Sequence, residues 1–455
     1  MPQSDSLFAS LGLMPALCTR LAQLQYVQPT PVQTQIIPAA LAGKDVLAGA
    51  NTGSGKTAAF VLPLLQRLYQ AKHSTQAVKS PAKGNYVACL ILVPTRELAQ
   101  QVAASCESYG QDLAPKLKVT CVQGGVSVNS QMLALRGGSD VIVATPGRLL
   151  DLINSNAIKL DRVKSLVLDE ADRLLSLGFA DELGALLKLL PKQKQTLLFS
   201  ATFPEELNEL TARLLHQPHS VQLQSEQQST LVQRVFTVNK REKAQVLSHL
   251  LKAKNWSQVL IFANAKKTCD RLAQKLEKAG IKAQVFHSDK GQGARNRILT
   301  GFKIGEIDVL IATDIAARGI DIDKLPVVIN YELPRSPADY MHRIGRSGRA
   351  GAAGLALSLI SHDEYQHFKL IEKKNKLRLP REQYAGFEAD AEAPEDCPSR
   401  LAKPEIPAPG MGKKKRKKAV SKATDTVASA VSSNQEPLQA AQALVEDAWA
   451  NWKKK

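Results

Sequence analysis

The chain has 455 residues, of which 44% are hydrophobic, and carries a formal net charge of +18. This length predicts two large domains with filled cores, and the charge favours a polyanionic partner over a surface that serves solubility alone. The six cysteines lack a C-x-x-C pair and no apolar run approaches about 18 residues, which argues against zinc, disulfide-rich and membrane-spanning classes. Because the amino terminus has no leader-like pattern, we expect a soluble protein in a reducing compartment, the cytoplasm.

A glycine-rich loop follows the apolar run at residues 45–48. It reads Ala50-Asn51-Thr52-Gly53-Ser54-Gly55-Lys56-Thr57 and leads into the apolar residues 58–62. A strand, glycine loop and helix in this order aim backbone N–H groups at a phosphate chain. Lys56 would reach the β- and γ-phosphates, and the Thr57 hydroxyl would bind Mg²⁺. Alanine replaces the first glycine of the usual pattern, so the match is relaxed; the alternative is a glycine turn that happens to precede Lys-Thr.

Short apolar runs alternate with helical stretches through residues 33–210. The further runs are 87–93, 119–122, 141–143, 166–168 and 196–199. Their continuous apolarity predicts strands covered on both faces, and the alternation with helices predicts a parallel α/β sheet.

One of these runs, 166–168, ends in two carboxylates. Asp169 would lie at the carboxyl edge of the sheet and is placed to hold Mg²⁺, while Glu170 could orient or deprotonate an attacking water. Alone, such a strand end is more often a solvated turn. Together with the phosphate loop it indicates a nucleoside triphosphatase.

The second half of the chain repeats the alternation without a phosphate loop. Residues 216–231 are polar and glutamine-rich and predict a linker. Apolar runs then return at 259–262, 283–286, 309–312, 327–330 and 355–360. Two similar α/β domains with one phosphate loop suggest a single nucleotide in a cleft between them.

The pattern fails after about residue 380. Residues 388–410 are rich in Glu, Ala and Pro, and residues 413–418 form a compact basic block. This composition predicts a disordered tail. We favour a nucleic-acid-binding arm for the basic block, with a nuclear address or a solvated tail as alternatives.

The remaining motifs resemble those of the DEAD-box RNA helicases of superfamily 2, bacterial type, over roughly residues 6–375. The tetrad Asp169-Glu170-Ala171-Asp172 gives that family its name, and residues 25–33 resemble its Q motif, with Phe8 upstream. The resemblance implies that Gln33 reads the adenine edge and that Phe8 packs on the ring. Gln25 stands where the family usually has glycine. Ser200-Ala201-Thr202 resembles motif III, which implies a coupling role for Ser200, Thr202, Asp172 and His342.

Further segments resemble the family's RNA-binding and arginine-finger motifs. In the first domain each of these segments follows an apolar strand: Pro94-Thr95-Arg96, Gly124-Gly125 and Thr145-Pro146-Gly147-Arg148. Such segments can contact phosphate and ribose, or they can be ordinary helix caps and turns, and both roles remain open. In the second domain the resemblance implies RNA contacts from Arg295, Thr313 and Arg318 and a ribose contact from Asp321. It also implies that Arg346 and Arg349 act as arginine fingers on the γ-phosphate.

The resemblance implies two tandem RecA-like domains and a disordered basic tail. We expect the chain to divide into an amino-terminal segment with the Q motif at 1–34, domain 1 at 35–215, a linker at 216–231, domain 2 at 232–380 and the tail at 381–455. It also implies an RNA-stimulated ATPase that uses ATP and Mg²⁺ and unwinds or remodels RNA without sequence preference. Ribosomal or other structured RNA and protein cofactors are candidate partners, with no membrane and a monomeric state. A DNA translocase and an ATP-gated RNA clamp remain alternatives.

Overall fold

Two parallel sheets, one from each half of the chain, form the framework of the molecule. The computed structural model describes residues 7–49, 53–73, 84–222, 231–254, 256–317, 325–348 and 354–390. The first sheet contains β1 (Val46–Gly49), β2 (Val87–Leu92), β3 (Val119–Val122), β4 (Ser139–Ala144), β5 (Ser165–Leu168), β6 (Gln195–Ser200) and β7 (His219–Gln222). The second contains β8 (Leu231–Thr237), β9 (Val259–Phe262), β10 (Ala283–Phe286), β11 (Val309–Ala312), β12 (Val327–Asn330), β13 (Gly354–Ile360) and β14 (Arg381–Gln383). The predicted α/β class is confirmed.

Both sheets have the same strand order. The first runs β3-β4-β2-β5-β6-β1-β7 and the second β10-β11-β9-β12-β13-β8-β14, which coincide when each sheet is numbered from its own first strand. All the strand pairs are parallel. Each sheet therefore has one carboxyl edge, which is where open α/β sheets bind their ligands.

Helices connect the strands and cover both faces of each sheet. The described helices of the first half are α1 (Pro15–Gln23), α2 (Pro31–Leu41), α3 (Lys56–Lys72), α4 (Arg96–Tyr109), α5 (Val128–Ala134), α6 (Pro146–Asn154), α7 (Ala171–Ser176), α8 (Ala180–Lys188) and α9 (Glu205–Leu214). Those of the second half are α10 (Lys243–Lys254), α11 (Lys266–Lys278), α12 (Gln292–Lys303), α13 (Asp314–Ala317), α14 (Pro337–Ile344) and α15 (Tyr365–Asn375). Short 3₁₀ turns occur at Ala9–Leu11 and His362–Glu364.

The continuous apolar runs are explained by burial on both sides of the sheets. In β5, Val167 packs into one core cluster while Leu166 and Leu168 pack into the cluster on the opposite face. Successive side chains of a strand point to opposite faces, so both must be apolar when helices cover both. Every run predicted as a strand is one, within two residues at each end.

The predicted boundary at residue 34 is wrong. Helix α2 runs through it, and Leu17 and Leu21 of α1 belong to the same core cluster as the first sheet. The amino-terminal segment is therefore part of the first domain, because its apolar residues are buried in that domain's core.

The predicted linker and tail begin at the wrong places. Part of the segment 216–231 forms the edge strand β7, and Leu231 opens β8. The tail prediction from 381 misses β14, which pairs with β8, and Tyr384, which packs edge-to-face on Phe236. Strands β7 and β14 are short and largely polar, so they lack the apolar signal that marks central strands. Residues 223–230 and 391–455, including the basic block, lie outside the described residues.

Gln25, which stands where the family usually has glycine, has a backbone conformation that favours glycine. Its φ is 61°, in the left-handed region that disfavours residues with a Cβ. We expect Gln25→Gly to raise the free energy of unfolding by about 0.5–1 kcal/mol, since glycine removes this strain at some entropic cost. Gln28→Gly is the matched control: it is exposed, lies outside the positive-φ positions and should lower the free energy of unfolding. Urea unfolding followed by circular dichroism measures both, and effects of the same sign would contradict this account.

Across the described parts of the chain, none of the helices is both long enough and apolar enough to span a membrane.

Candidate nucleotide and RNA site

The phosphate loop meets the amino terminus of α3, as the sequence predicts. Gly55 precedes the helix with a φ of 89°, and Lys56 is the first helical residue. Thr30 donates a hydrogen bond to the Ser54 carbonyl (2.9 Å), and the Gln33 amide donates one to the Gly55 carbonyl (3.1 Å). A Cβ at position 55 would lie 2.6 Å from Gln33 Nε2, so both backbone angle and space require glycine. The start of α2 thus braces the loop.

The same contacts limit what Gln33 can offer to a base. Its side-chain oxygen accepts a hydrogen bond from the Thr30 N–H (2.9 Å), and the side chain is buried. A primary amide has two N–H donors and two lone pairs, so one of each remains for adenine. Phe8 is also buried and packs edge-to-face on Tyr26, with ring centroids 6.5 Å apart. Adenine recognition by these two residues stays a prediction.

Two carboxylates lie at the carboxyl end of β5. Asp169 is buried, and its carboxylate accepts a hydrogen bond from the Glu170 N–H (2.9 Å). Burial raises the pKa of Asp169 to about 6, against the opposing effect of the nearby Lys56 ammonium. Glu170 precedes α7 with φ 50° and ψ 51°, a left-handed conformation that is costly for a non-glycine residue.

The buried Asp169 carboxyl predicts a pH dependence of stability without ligands. Its folded-state pKa of about 6 lies above the ordinary aspartate value of 3.8, so the folded state binds more protons between these two pH values and the free energy of unfolding falls as pH rises through them. We expect Asp169→Asn to be more stable than wild type by up to about 3 kcal/mol at pH 8, with the difference closing toward pH 4. Urea unfolding at several pH values tests this. Asp161→Asn, which removes an exposed carboxyl group from the same domain, is the control.

The predicted coupling residues of the first domain form one network. The Thr202 hydroxyl and N–H both donate to the Asp172 carboxylate, at 2.6 and 3.2 Å. The Ser200 hydroxyl accepts from the Asp172 N–H (3.4 Å) and donates to the Thr202 carbonyl (2.6 Å). Asp172, the last residue of the tetrad, is therefore hydrogen-bonded to the residues at the end of β6 and just after it.

Two arginines flank the paired glycines after β3. A Cβ at Gly125 would lie 2.6 Å from the guanidinium of Arg96, so the exposed arginine lies directly on the glycine loop. On the other side, Arg148 donates to the Val126 carbonyl (2.7 Å). This edge presents cationic groups and accessible backbone, which suit a phosphate backbone.

Other residues predicted to contact RNA in the first domain are less accessible. Pro94, Thr95 and Thr145 are buried, and Gly147 is half-buried. The Thr95 hydroxyl accepts a hydrogen bond from the Leu98 N–H (3.3 Å) and caps α4, which is the alternative role that the sequence left open. Their contact with RNA stays a prediction.

The second domain touches the first at the start of α12. The Arg295 guanidinium forms an ion pair with the Glu97 carboxylate (2.8 Å), and both side chains are buried. The Gln292 amide donates to the same carboxylate (3.2 Å). Arg295, predicted to face RNA, is thus engaged between the domains in this arrangement.

A second contact joins the domains beside the tetrad. Arg173, the residue after Asp172, donates a hydrogen bond to Nδ1 of His342 on α14. Burial lowers the pKa of His342, which favours the neutral ring that can accept this bond. His342 is the predicted coupling residue of the second domain, and this contact brings it to the first-domain network.

The other predicted residues of the second domain are only partly described. Thr313 is buried at the end of β11, and Arg346 is buried just beyond α14, where its carbonyl accepts from the Leu325 N–H (3.0 Å). Ala50, Asn51, Thr52, Arg318, Asp321 and Arg349 lie outside the described residues.

Comparison with known proteins agrees with this arrangement. The DEAD/DEAH box helicase domain matches residues 30–210, and the helicase conserved C-terminal domain matches residues 242–351. The ATP-dependent RNA helicase CshA of Listeria monocytogenes is 38% identical over 374 residues, which cover 82% of this chain and 69% of the relative. The chain belongs to the DEAD-box ATP-dependent RNA helicases.

The structure of this DEAD-box protein superimposes on solved helicase structures over most of its length. Saccharomyces cerevisiae Dbp5 bound to RNA and ADP BeF3 superimposes with a TM-score of 0.72 at 29% identity, covering 83% of this chain and 96% of Dbp5. A Dbp5 variant bound to a Gle1 variant and IP6 gives 0.65 at 29% identity, covering 84% and 96%. The two comparisons have nearly equal coverage, and the TM-score of this DEAD-box protein is higher with the RNA-bound Dbp5. Tandem RecA-like domains are confirmed.

Sequence reasoning missed a buried arginine inside residues 342–349, the segment of this DEAD-box protein that resembles motif VI of the family. Arg343 donates to both carboxylate oxygens of Asp314 (2.6 Å each), to Asn330 (3.0 Å) and to Asn264 (2.9 Å). It thereby ties β9, β12 and α13 to α14, the helix that precedes Arg346. Its position between His342 and Arg346 shows from the sequence that Arg343 belongs to the motif. The sequence does not reveal which arginine of a motif faces inward, so it does not predict that Arg343 is buried.

Proposed function

We propose that this DEAD-box protein hydrolyses ATP in the cleft between its two domains and that RNA lying across both domains stimulates the reaction. Closure and hydrolysis would then unwind short RNA duplexes locally or remodel RNA–protein complexes. The observation that carries this proposal is the contact of Arg173 with His342, which brings motif VI of the second domain against the DEAD tetrad of the first. In this proposal the groups for phosphoryl transfer are divided between the two domains.

The first domain would bind the nucleotide. Gln33 and Phe8 would recognise adenine, and the phosphate loop, residues 50–57, would cradle the phosphates with its backbone N–H groups. Lys56 would contact the β- and γ-phosphates. Glu170 would orient or deprotonate the attacking water, and Arg346 and Arg349 would neutralise charge at the γ-phosphate from the second domain.

The residues at this site fit a magnesium ion. Mg²⁺ in nucleotide sites takes one or two carboxylates together with substrate phosphates, and Asp169 and the Thr57 hydroxyl supply such a set. Burial raises the pKa of Asp169 to about 6, so its carboxylate is one that a cation would stabilise. When bound, the ion would supply positive charge that offsets the negative charge of the phosphates during phosphoryl transfer.

RNA would lie across the carboxyl edges of both sheets. In the first domain the exposed Arg96 and Gly125, with the half-buried Gly124 and Arg148 beside them, would form this surface. Contacts of this kind address phosphate and ribose and read no bases, so binding would be sequence-independent. We place the protein in the cytoplasm as a monomer, with structured RNA such as ribosomal RNA as its substrate class and a ribose contact from Asp321.

Steady-state ATP hydrolysis tests the proposal. The assay compares no nucleic acid, single-stranded RNA and DNA of the same sequence, with Lys56→Ala as the inactive control. Strong stimulation by RNA alone supports the proposal, whereas equal stimulation by DNA would make the protein a general nucleic-acid translocase. Duplex displacement measured beside hydrolysis separates a helicase from an RNA clamp, because a clamp would hydrolyse ATP without releasing a strand.

A further inference from the structure

Arg173 occupies a bridging position that the family motifs do not assign. It follows the DEAD tetrad directly, yet one of its guanidinium nitrogens lies 2.7 Å from the carboxylate of Asp339 in the second domain. Another donates to His342 of the same helix. The Arg173 and Asp339 side chains are 7% and 14% exposed, so this ion pair is largely shielded from water.

The partners of Arg173 belong to the helix that leads to the arginine finger. Asp339 and His342 are three residues apart on α14 and therefore share one face of it. The helix ends at Ile344, two residues before Arg346. A side chain that holds this face against the tetrad fixes where Arg346 enters the cleft.

On its other side, Arg173 is fixed by the coupling network of the first domain. Its own N–H donates to the Asp172 carboxylate (3.1 Å), whose other oxygen accepts both bonds from Thr202. A change at the end of β6 would therefore move Arg173 together with Asp172. These contacts form a continuous path from motif III, through the residue after the tetrad, to α14.

We propose that Arg173 is a positioning residue whose ion pair with Asp339 forms only on domain closure and sets Arg346 at the γ-phosphate. This inference rests on the proposed hydrolysis in a closed cleft. The pair joins two domains, so it contributes to the closed state and not to the open one. Removal of one partner takes this ion pair from the closed state and leaves the other charge largely shielded from water there, which penalises the closed state selectively.

A double-mutant cycle tests the pair. Arg173→Gln and Asp339→Asn should each raise the RNA concentration for half-maximal ATPase stimulation about tenfold or more, as close charge pairs across interfaces do. In the double variant this RNA concentration should be no higher than in the more strongly affected single variant, because the second substitution removes an interaction that the first has already abolished. The charge exchange Arg173→Asp with Asp339→Arg should recover most of the defect. Arg213→Gln, an exposed arginine on α9, is the matched control and should match wild type.

Two readouts separate positioning from a general structural role. ATP affinity measured without RNA should stay within about twofold of wild type in every variant, since the open state lacks the pair. Fluorescence transfer between labelled domains, with RNA and a non-hydrolysable ATP analogue, should show less closure in each single variant. Unchanged closure, or single effects that multiply in the double variant, would overturn the inference. A wild-type protein without RNA stimulation would instead reject the proposed function, and the closure measurement would still decide the role of Arg173.

Discussion

Arg346→Ala should lower the RNA-stimulated kcat by about 10³-fold while ATP still binds with near-normal affinity. An arginine finger acts on the charge that develops at the γ-phosphate, so its loss removes an interaction made in the transition state and not in the ground state. Arg346 follows α14, which contacts the tetrad through His342 and Arg173, and it is buried in this arrangement. The sequence predicts the same result for Arg349→Ala.

The measurement is steady-state turnover at saturating RNA, beside the dissociation constant of a fluorescent ATP analogue without RNA. Arg335→Ala is the control, since Arg335 is an exposed arginine just before α14 and should have near-wild-type turnover. Turnover of Arg346→Ala within about tenfold of wild type would contradict hydrolysis at a site formed by both domains, because transition-state stabilisation by an arginine finger exceeds that factor. Weakened ATP binding without RNA would also contradict it, since Arg346 belongs to the domain that carries no phosphate loop.

Glu170→Gln should slow ATP hydrolysis by about 10²–10⁴-fold and trap the protein on RNA with ATP bound. Glutamine keeps the size of the side chain and can still orient a water, but it cannot accept the proton of the attacking water. The left-handed backbone at position 170 costs glutamine about as much as glutamate, so the fold should be retained. Without hydrolysis the closed state has no route back to the open one, and the bound RNA is held.

RNA dissociation in the presence of ATP is the decisive readout for this variant. Wild type should release RNA as ATP is consumed, whereas Glu170→Gln should retain it for much longer. Glu205→Gln, an exposed glutamate at the start of α9, controls for the loss of one charge from the same domain. Unchanged hydrolysis in Glu170→Gln would refute the role given to this carboxylate, and slow hydrolysis with rapid RNA release would refute the coupling to domain closure.

The strands and the phosphate loop could be predicted because their signals are local. Residues 165–168 form a strand covered on both faces, so every position is buried, and glycine at position 55 is required by a φ of 89°. Edge strands have weaker signals: β7 and β14 each bury little and contain mostly polar residues. For this reason the linker and tail boundaries were misplaced.

The two α/β domains, the tetrad at the end of β5 and the family could be predicted from the residues alone. They depend on apolar periodicity and on residue types at fixed spacings, which the chain carries directly. The pairing of the charged side chains, by contrast, is visible only in the folded molecule. Arg295 pairs with Glu97, Arg343 with Asp314 and Arg173 with Asp339. Two of these pairs join domains that are far apart in sequence, and an arginine carries no local signal of which distant carboxylate it will find when the domains close.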